Sequence, residues 1–341
     1  HISFYSTMNG SFDHTSRDSQ ATPVEPLPPE RFDMDLYSEY ETSLLASCKK
    51  FINSNSGVAV YRRMRVAEVF SDGCRDMKRS LELQLGALQK SMEYLMDIPN
   101  FLEPWYGIGT AASAFGMEYI WNQGQAPAMK AKFQNVNEAN RFGNIIAIKD
   151  TPVGSNTLSM IEYFLEKTRG KLPVSLCDVQ SPLNAAGIII EVNNFLMDTL
   201  INPEGVSALL NRLVGLIADF TCEQLKILKD NIVWPGLGFP SSRVFTGFGS
   251  SDDNIVMLTD EAYKDLVIPS IVQMAGSFGG PVFHSCGNWS QKAETVKQIP
   301  GLKMVDGAFT RETDPDPNPP EVMRDAFANT GIVVCARMVG T

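Results

Sequence analysis

The chain has 341 residues, 44% of them hydrophobic and 20% charged, with a formal net charge of −10. That length and apolar content suffice for one large barrel or two ordinary domains, and the acidic balance argues against non-specific binding to nucleic acid or to an anionic membrane. No apolar run reads as a membrane span; even the stretch 185–201 is broken by Glu191, Asn193, Asn194 and Asp198.

Residues 1–30 are rich in Ser, Thr, Asp and Pro and are expected to form a mobile leader, with 31–341 as a single α/β domain. The leader lacks a basic segment followed by an apolar stretch. The six cysteines (Cys48, Cys74, Cys177, Cys222, Cys286, Cys335) are too scattered for a disulfide framework. A reducing, cytoplasmic setting is the expectation.

Apolar spacing predicts a helix over 35–52, a short β-rich run over 57–61 and a long amphipathic helix over 72–95. An apolar, Pro-punctuated stretch follows over 98–106. Residues 171–178 read as strand into loop, and 184–200 as a helix. Pro203 opens another helix to about 229, with proline in its first turn. Beyond it, strands are expected at 243–247, 281–284, 302–305 and 331–335. Helices are expected between and after them at 260–276, 289–298 and 320–328. Such alternation specifies parallel βαβ units. Neither Gly-x-Gly-x-x-Gly nor a phosphate-binding Gly-x-x-x-x-Gly-Lys-Ser/Thr is present, which favours a (β/α)8 barrel over a nucleotide-binding doubly wound sheet.

The chemistry-bearing signal is Phe283-His284-Ser285-Cys286-Gly287-Asn288, directly after the strand at 281–284. Residues two apart on a strand point to one side, so an imidazole and a thiolate can share one tetrahedral zinc ion. The alternative is a capped strand end with a structural thiol. Asp178, Asp252 and Asp253 also fall at or after predicted strand ends, where parallel barrels keep their catalytic groups; the plain alternative is loop capping for Asp178 and a loop carboxylate near a helix dipole for Asp252 and Asp253. Trp105 and Tyr106 are candidates for an aromatic wall against substrate, or for core packing. Arg62, Arg63 and Arg65 are read as a solvated basic face.

Three stretches together resemble the uroporphyrinogen decarboxylase superfamily, which includes tetrapyrrole decarboxylases and zinc-dependent methylcobamide:coenzyme M methyltransferases. The first runs from Asp178 to Ala186, continuing to Asn202-Pro203-Glu204. The second is Ser251-Asp252-Asp253 with Leu258-Thr259-Asp260-Glu261-Ala262-Tyr263. The third is the His-x-Cys segment. The resemblance implies a barrel of the uroporphyrinogen decarboxylase/methionine synthase kind. The stop at Thr341 leaves open whether its last βα unit is present.

The decarboxylases it resembles carry an Arg-rich loop and a central Asp for substrate. Here Tyr61-Arg62-Arg63-Met64-Arg65 lacks the loop pattern, and Gly107 or its neighbours fill the Asp slot. The methyltransferase branch fits better. That branch implies zinc on His284, Cys286 and a more distant cysteine, for which Cys335 is the candidate. It further implies a small thiol substrate and a corrinoid methyl carrier on a partner protein; Asn288, beside the pair, is a further candidate for substrate binding. In the family the distal cysteine lies further along the chain than Cys335. Asp252, Asp253 and Asp306 therefore stay open as oxygen ligands or as residues that hold a ligand in place. The expected function is zinc-dependent methyl transfer between a corrinoid and a thiol, without nucleic acid or membrane. The alternatives are a metal-free tetrapyrrole decarboxylase and a non-catalytic barrel that binds a corrinoid protein.

Overall fold

The structure, a computed structural model, describes residues 23–54 and 56–338. Its centre is a parallel sheet of four strands in chain order: β1 (Phe248–Ser251), β2 (Pro281–His284), β3 (Met304–Ala308) and β4 (Val333–Arg337). Two further strand positions precede it. Leu102 pairs in parallel with Val174, and Val174 with Ile232, while Gln180 pairs with Ser251. The third strand position is thus interrupted. It runs through Ile232, leaves the sheet after Trp234, and resumes as β1 on the same neighbour. This succession of adjacent parallel strands with helical crossovers is the α/β barrel expected from the sequence. Among the described residues, no strand pairing joins β4 back to the Leu102 strand.

Register explains how the interior is built. Val282 pairs with Met304 and Met304 with Val333; one step further, His284 pairs with Asp306 and Asp306 with Cys335. Alternate residues face one side, so these form two successive rows on a single face. The lower row is apolar, and Phe239 and Leu237 from the interrupting loop pack on it with Cys335. Gly249 lets that loop pass: a Cβ there would stand 2.9 Å from the Pro235 carbonyl oxygen. The opposite face, with Phe283 and Val305, joins the main core beneath the helices.

The helices are α1 (Met34–Ile52), α2 (Met77–Ser91), α3 (Thr110–Ser113), α4 (Val136–Arg141), α5 (Pro152–Lys167), α6 (Pro182–Ile189), α7 (Val192–Ile201) and α8 (Pro203–Leu228). They continue as α9 (Asp260–Ala262), α10 (Ile268–Gly276), α11 (Ala293–Val296) and α12 (Pro320–Phe327). In α8, Val206, Leu210, Leu213, Ile217 and Phe220 recur every three or four residues and are all buried. Each such side chain contributes roughly 1.5–3 kcal/mol of burial. Asn202 caps the helix by accepting from the Gly205 amide, and Pro203 sits in the first turn. Contrary to the sequence reading, the helical stretch Pro203–Asn231 is long and apolar enough to cross a membrane by length and composition. Here its buried stripe lies in the main core.

Other boundaries differ for local reasons. The helix expected over 184–200 is two, because Ile190 leaves it to pair with Phe133 and Glu191 caps a new start by accepting from the Asn194 amide. The strand expected at 243–247 forms at 248–251 instead. Arg243 is drawn to Glu41 at 2.8 Å, and the ladder begins where the Phe248 amide reaches Gly280. Residues 57–61 form no strand; Val58 is 91% exposed and, among the described residues, the backbone of Val60 bonds to Asp97. Of the expected leader, residues 1–22 lie outside the described residues. Residues 23–30 lie against α2, where the Leu27 amide bonds to Glu82 and Gly86 allows the Glu25 carbonyl to come close.

Candidate metal centre

β2 ends at His284, and the chain turns through Ser285 to bring Cys286 back over the ring. Cys286 Sγ lies 3.4 Å from His284 Nε2. A third donor comes from the loop after β1: Asp253 Oδ1 stands 4.0 Å from His284 Nε2 and accepts the Cys286 amide at 2.7 Å. The ligand atoms of Asp253, His284 and Cys286 all lie within 4.8 Å of one another. Nitrogen, thiolate and carboxylate around an exposed sulfur are a donor set that zinc accepts, with a fourth position left for another ligand.

The histidine is held from behind. Its Nδ1 meets Asp306 Oδ1 at 2.5 Å, and the same oxygen accepts from Arg337 Nε at 2.8 Å. Burial alone would push the imidazole pKa down. The negative charges and hydrogen bonds of Cys286 and Asp306 outweigh it and lift the value to about 10. Asp306 is pushed up by burial, but Arg337 and His284 together hold it below the usual carboxylate range. Engaging Nδ1 leaves Nε2 facing the cluster, the arrangement found around metal-bound histidines generally.

Cys335 stands outside this cluster. It lies in the same row as His284 but two strands away, with Asp306 between them. Two strand spacings put its backbone roughly 10 Å off. Burial and the Asp306 charge push its thiol well above the ordinary range.

The other candidates divide. Asp178 accepts from Trp105 Nε1 at 3.1 Å and from Gln180 Nε2 at 2.9 Å; burial raises its pKa to about 6. Gln180 accepts in turn from Asn184 Nδ2, which also donates to Asp253 Oδ2 at 3.1 Å. A continuous chain of hydrogen bonds therefore links Asp178 to the cluster. Asp252 meets this chain through Ser181, whose hydroxyl accepts the Asn184 amide, and is not part of the cluster. Its carboxylate is used by Ser181 Oγ at 2.5 Å and by the Tyr263 hydroxyl, and burial raises its pKa to about 6. Trp105 is buried and serves Asp178, whereas Tyr106 packs edge-on against Tyr119 and Trp121. Asn288 caps its own turn, accepting from Ser290, with its amide near Asp316. Sequence reasoning missed Arg337, Gln180 and Asn184. Strand parity offered one signal: Arg337 is two residues beyond Cys335, so it shares the inward face.

The model of the uroporphyrinogen decarboxylase (URO-D) family matches residues 56–231, just over half of the chain. The chain belongs to this family. Within the part matched to URO-D, Arg62 is exposed as expected, but Arg63 and Arg65 are half-buried rather than part of a solvated face. Arg63 makes two 2.9 Å bonds to Glu103, while Arg62 lies 4.0 Å over Tyr94 and Arg65 4.3 Å over Phe70. All three cluster residues lie beyond the matched range. Among solved structures, a methyltransferase from Methanosarcina mazei is similar in fold: TM-score 0.57, 12% identity, covering 96% of this chain and 83% of that one. A search of curated proteins finds no match.

Proposed function

We propose that this URO-D family member is a zinc-dependent methyltransferase that moves a methyl group between a corrinoid carrier and a small thiol. The observation that carries the reading is the convergence of Asp253, His284 and Cys286, with His284 Nδ1 already engaged by Asp306. Family membership and the fold of the methanogen methyltransferase support it.

His284 Nε2, Cys286 Sγ and an Asp253 oxygen would hold the metal. The carboxylate and thiolate bring two negative charges to balance a divalent cation. Zinc, when bound, lowers the pKa of a thiol that joins it and keeps the sulfur anionic at neutral pH. Asp306 and Arg337 fix the ring, and Asn184 and the Cys286 amide fix Asp253, so the three donors need little rearrangement. Cys286 is exposed and Asp253 side-chain exposure is 39%, which leaves the cluster open toward an incoming substrate and a corrinoid protein. In this proposal the protein works in the cytoplasm and engages neither nucleic acid nor membrane.

The test is elemental analysis of protein purified without added metal or chelator, paired with a methyl-transfer assay using methylcobalamin and mercaptoethanol. The expected result is about one zinc per chain and thiol methylation that stops when a chelator strips the metal. Protein without zinc that also fails to take it up, or methylation indifferent to stripping, would sink the proposal.

A further inference from the structure

A second site lies beside the cluster. Between the segment 108–131 and helices α6 and α7 is a cavity of about 440 Å³. Its walls are largely apolar: Ile108, Met129, Ile188 and Val192, with Ile108 left 43% exposed. Cavities of this size and lining are characteristic of small-molecule sites. Water against such walls is unfavourable, at roughly 25 cal/mol for each Å² of apolar surface.

Two polar side chains interrupt the walls. The Tyr119 hydroxyl accepts from the Gly109 amide at 2.8 Å, and burial keeps it neutral. Glu191 is the one charged residue among the described residues that line the cavity. Its oxygens accept from the Asn194 amide and Asn193 Nδ2 at 3.1 and 3.2 Å. A carboxylate offers about four acceptor sites, so lone pairs remain for a ligand.

The cavity and the candidate metal centre both border helix α6. Asn184 holds Asp253, while Gly187 and Ile188 line the cavity. These three residues are spaced i, i+3 and i+4 on α6, one helical turn of about 5.4 Å. Gly187 also packs against Asn254: a Cβ there would stand 2.6 Å from Asn254 Nδ2. A molecule in the cavity therefore sits next to the loop that carries Asp253.

We infer that this cavity binds a small, mainly apolar molecule bearing one cationic head, with the head on Glu191 and the apolar body between Ile108, Met129, Ile188 and Val192. The inference stands on the cavity alone and does not require the cluster to hold zinc.

Three probes with one tail and different heads test it: phenylbutylamine, phenylbutanol and phenylbutyrate, titrated calorimetrically into the full chain with and without added zinc. The expected order is ammonium, then alcohol, then carboxylate, with about tenfold or more between the ends of the series. Glu191→Gln keeps an acceptor for the Asn194 amide and should bring the three within about twofold. Ala131→Trp should fill the cavity and abolish binding of all three. Val192→Trp, from the α7 wall, serves if the first variant does not fold. Equal affinity for the three heads, a preference for the carboxylate, binding that survives the filled cavity, or no binding of the amine at millimolar concentration would each overturn the inference. Loss of zinc without change in amine affinity would refute only the metal reading.

Discussion

Asp178 is a half-buried carboxyl whose pKa is raised from 3.8 to about 6, burial being the largest cause. The fold thus favours its neutral form. Stability from this group is fully present below the unfolded pKa and is lost as pH rises through about 6. Two units at about 1.4 kcal/mol each give a cost of up to about 3 kcal/mol above pH 7, and about 1 kcal/mol near pH 4.5. Asp178→Asn removes the titration. The new amide oxygen can still accept from Trp105 Nε1, but its NH2 opposes the amide of Gln180, which is committed to Asn184. That mismatch costs about 1 kcal/mol at every pH. The variant should therefore be close to wild type near pH 4.5 and more stable by about 2 kcal/mol near pH 8. Urea unfolding of both proteins across that range, followed by tryptophan fluorescence, measures the difference. A difference that stays flat with pH would show that Asp178 is ionised normally, and the argument for it as a perturbed, functionally poised group would fall.

Asp306→Asn and Arg337→Leu should each weaken zinc binding by about 10–100-fold while leaving the far-ultraviolet circular dichroism unchanged, because both hold His284 rather than the metal; competition against a chromophoric chelator reads the affinity, and unchanged values would reduce the pair to a structural ion pair. Cys286→Ala should sharply lower zinc content, whereas Cys335→Ala should leave it nearly as in wild type. Zinc lost equally in both would mean that the site rearranges on loading to reach Cys335. Uroporphyrinogen should not be converted to coproporphyrinogen at ordinary enzyme rates, since Arg63 is committed to Glu103 and unpaired substrate carboxylates cost several kcal/mol to bury; chromatographic detection of steady product formation would return the chain to decarboxylase chemistry.

Periodicity carried the helices well. α1, α8 and α12 lie within a residue or two of their expected ends, because each has one apolar stripe and a clear start signal. The strand at Pro281–His284 was legible for a similar reason: a buried run follows two glycines and ends in a polar turn. The interrupted strand was not. Val244 and Phe245 look β-forming, but their place is set by how the 235–247 excursion packs Phe239 against β2 and β3, a contact across distant sequence. Arg63 was misjudged likewise. Charge suggested solvent, yet Arg63 finds Glu103 forty residues away. For the site, His284 and Cys286 were legible as a local pair. The third member was not: Cys335 was the candidate, with Asp252, Asp253 and Asp306 as alternatives, and whether Asp252 or Asp253 turns toward the cysteine depends on which of them a distant helix claims.

That helix is α6. Ser181 caps it by accepting from the Asn184 amide and, with the same hydroxyl, donates to Asp252. Asp252 also takes the hydroxyl of Tyr263, which sits in the π-turn between α9 and α10. One buried carboxyl thus ties the start of α6 to the helical segment that follows the acidic loop. Once Asp252 is claimed, the next residue emerges on the other side. Asn184, one turn into α6, receives the Asn254 amide and donates to Asp253. Adjacent aspartates therefore take opposite duties for one geometric reason. The first is buried and sets the position of α6; the second is half-exposed and presented by α6 to Cys286 and His284. The same helix forms a wall of the apolar cavity, so the register of α6 on its cap governs the Asp253–His284–Cys286 cluster and the neighbouring pocket together.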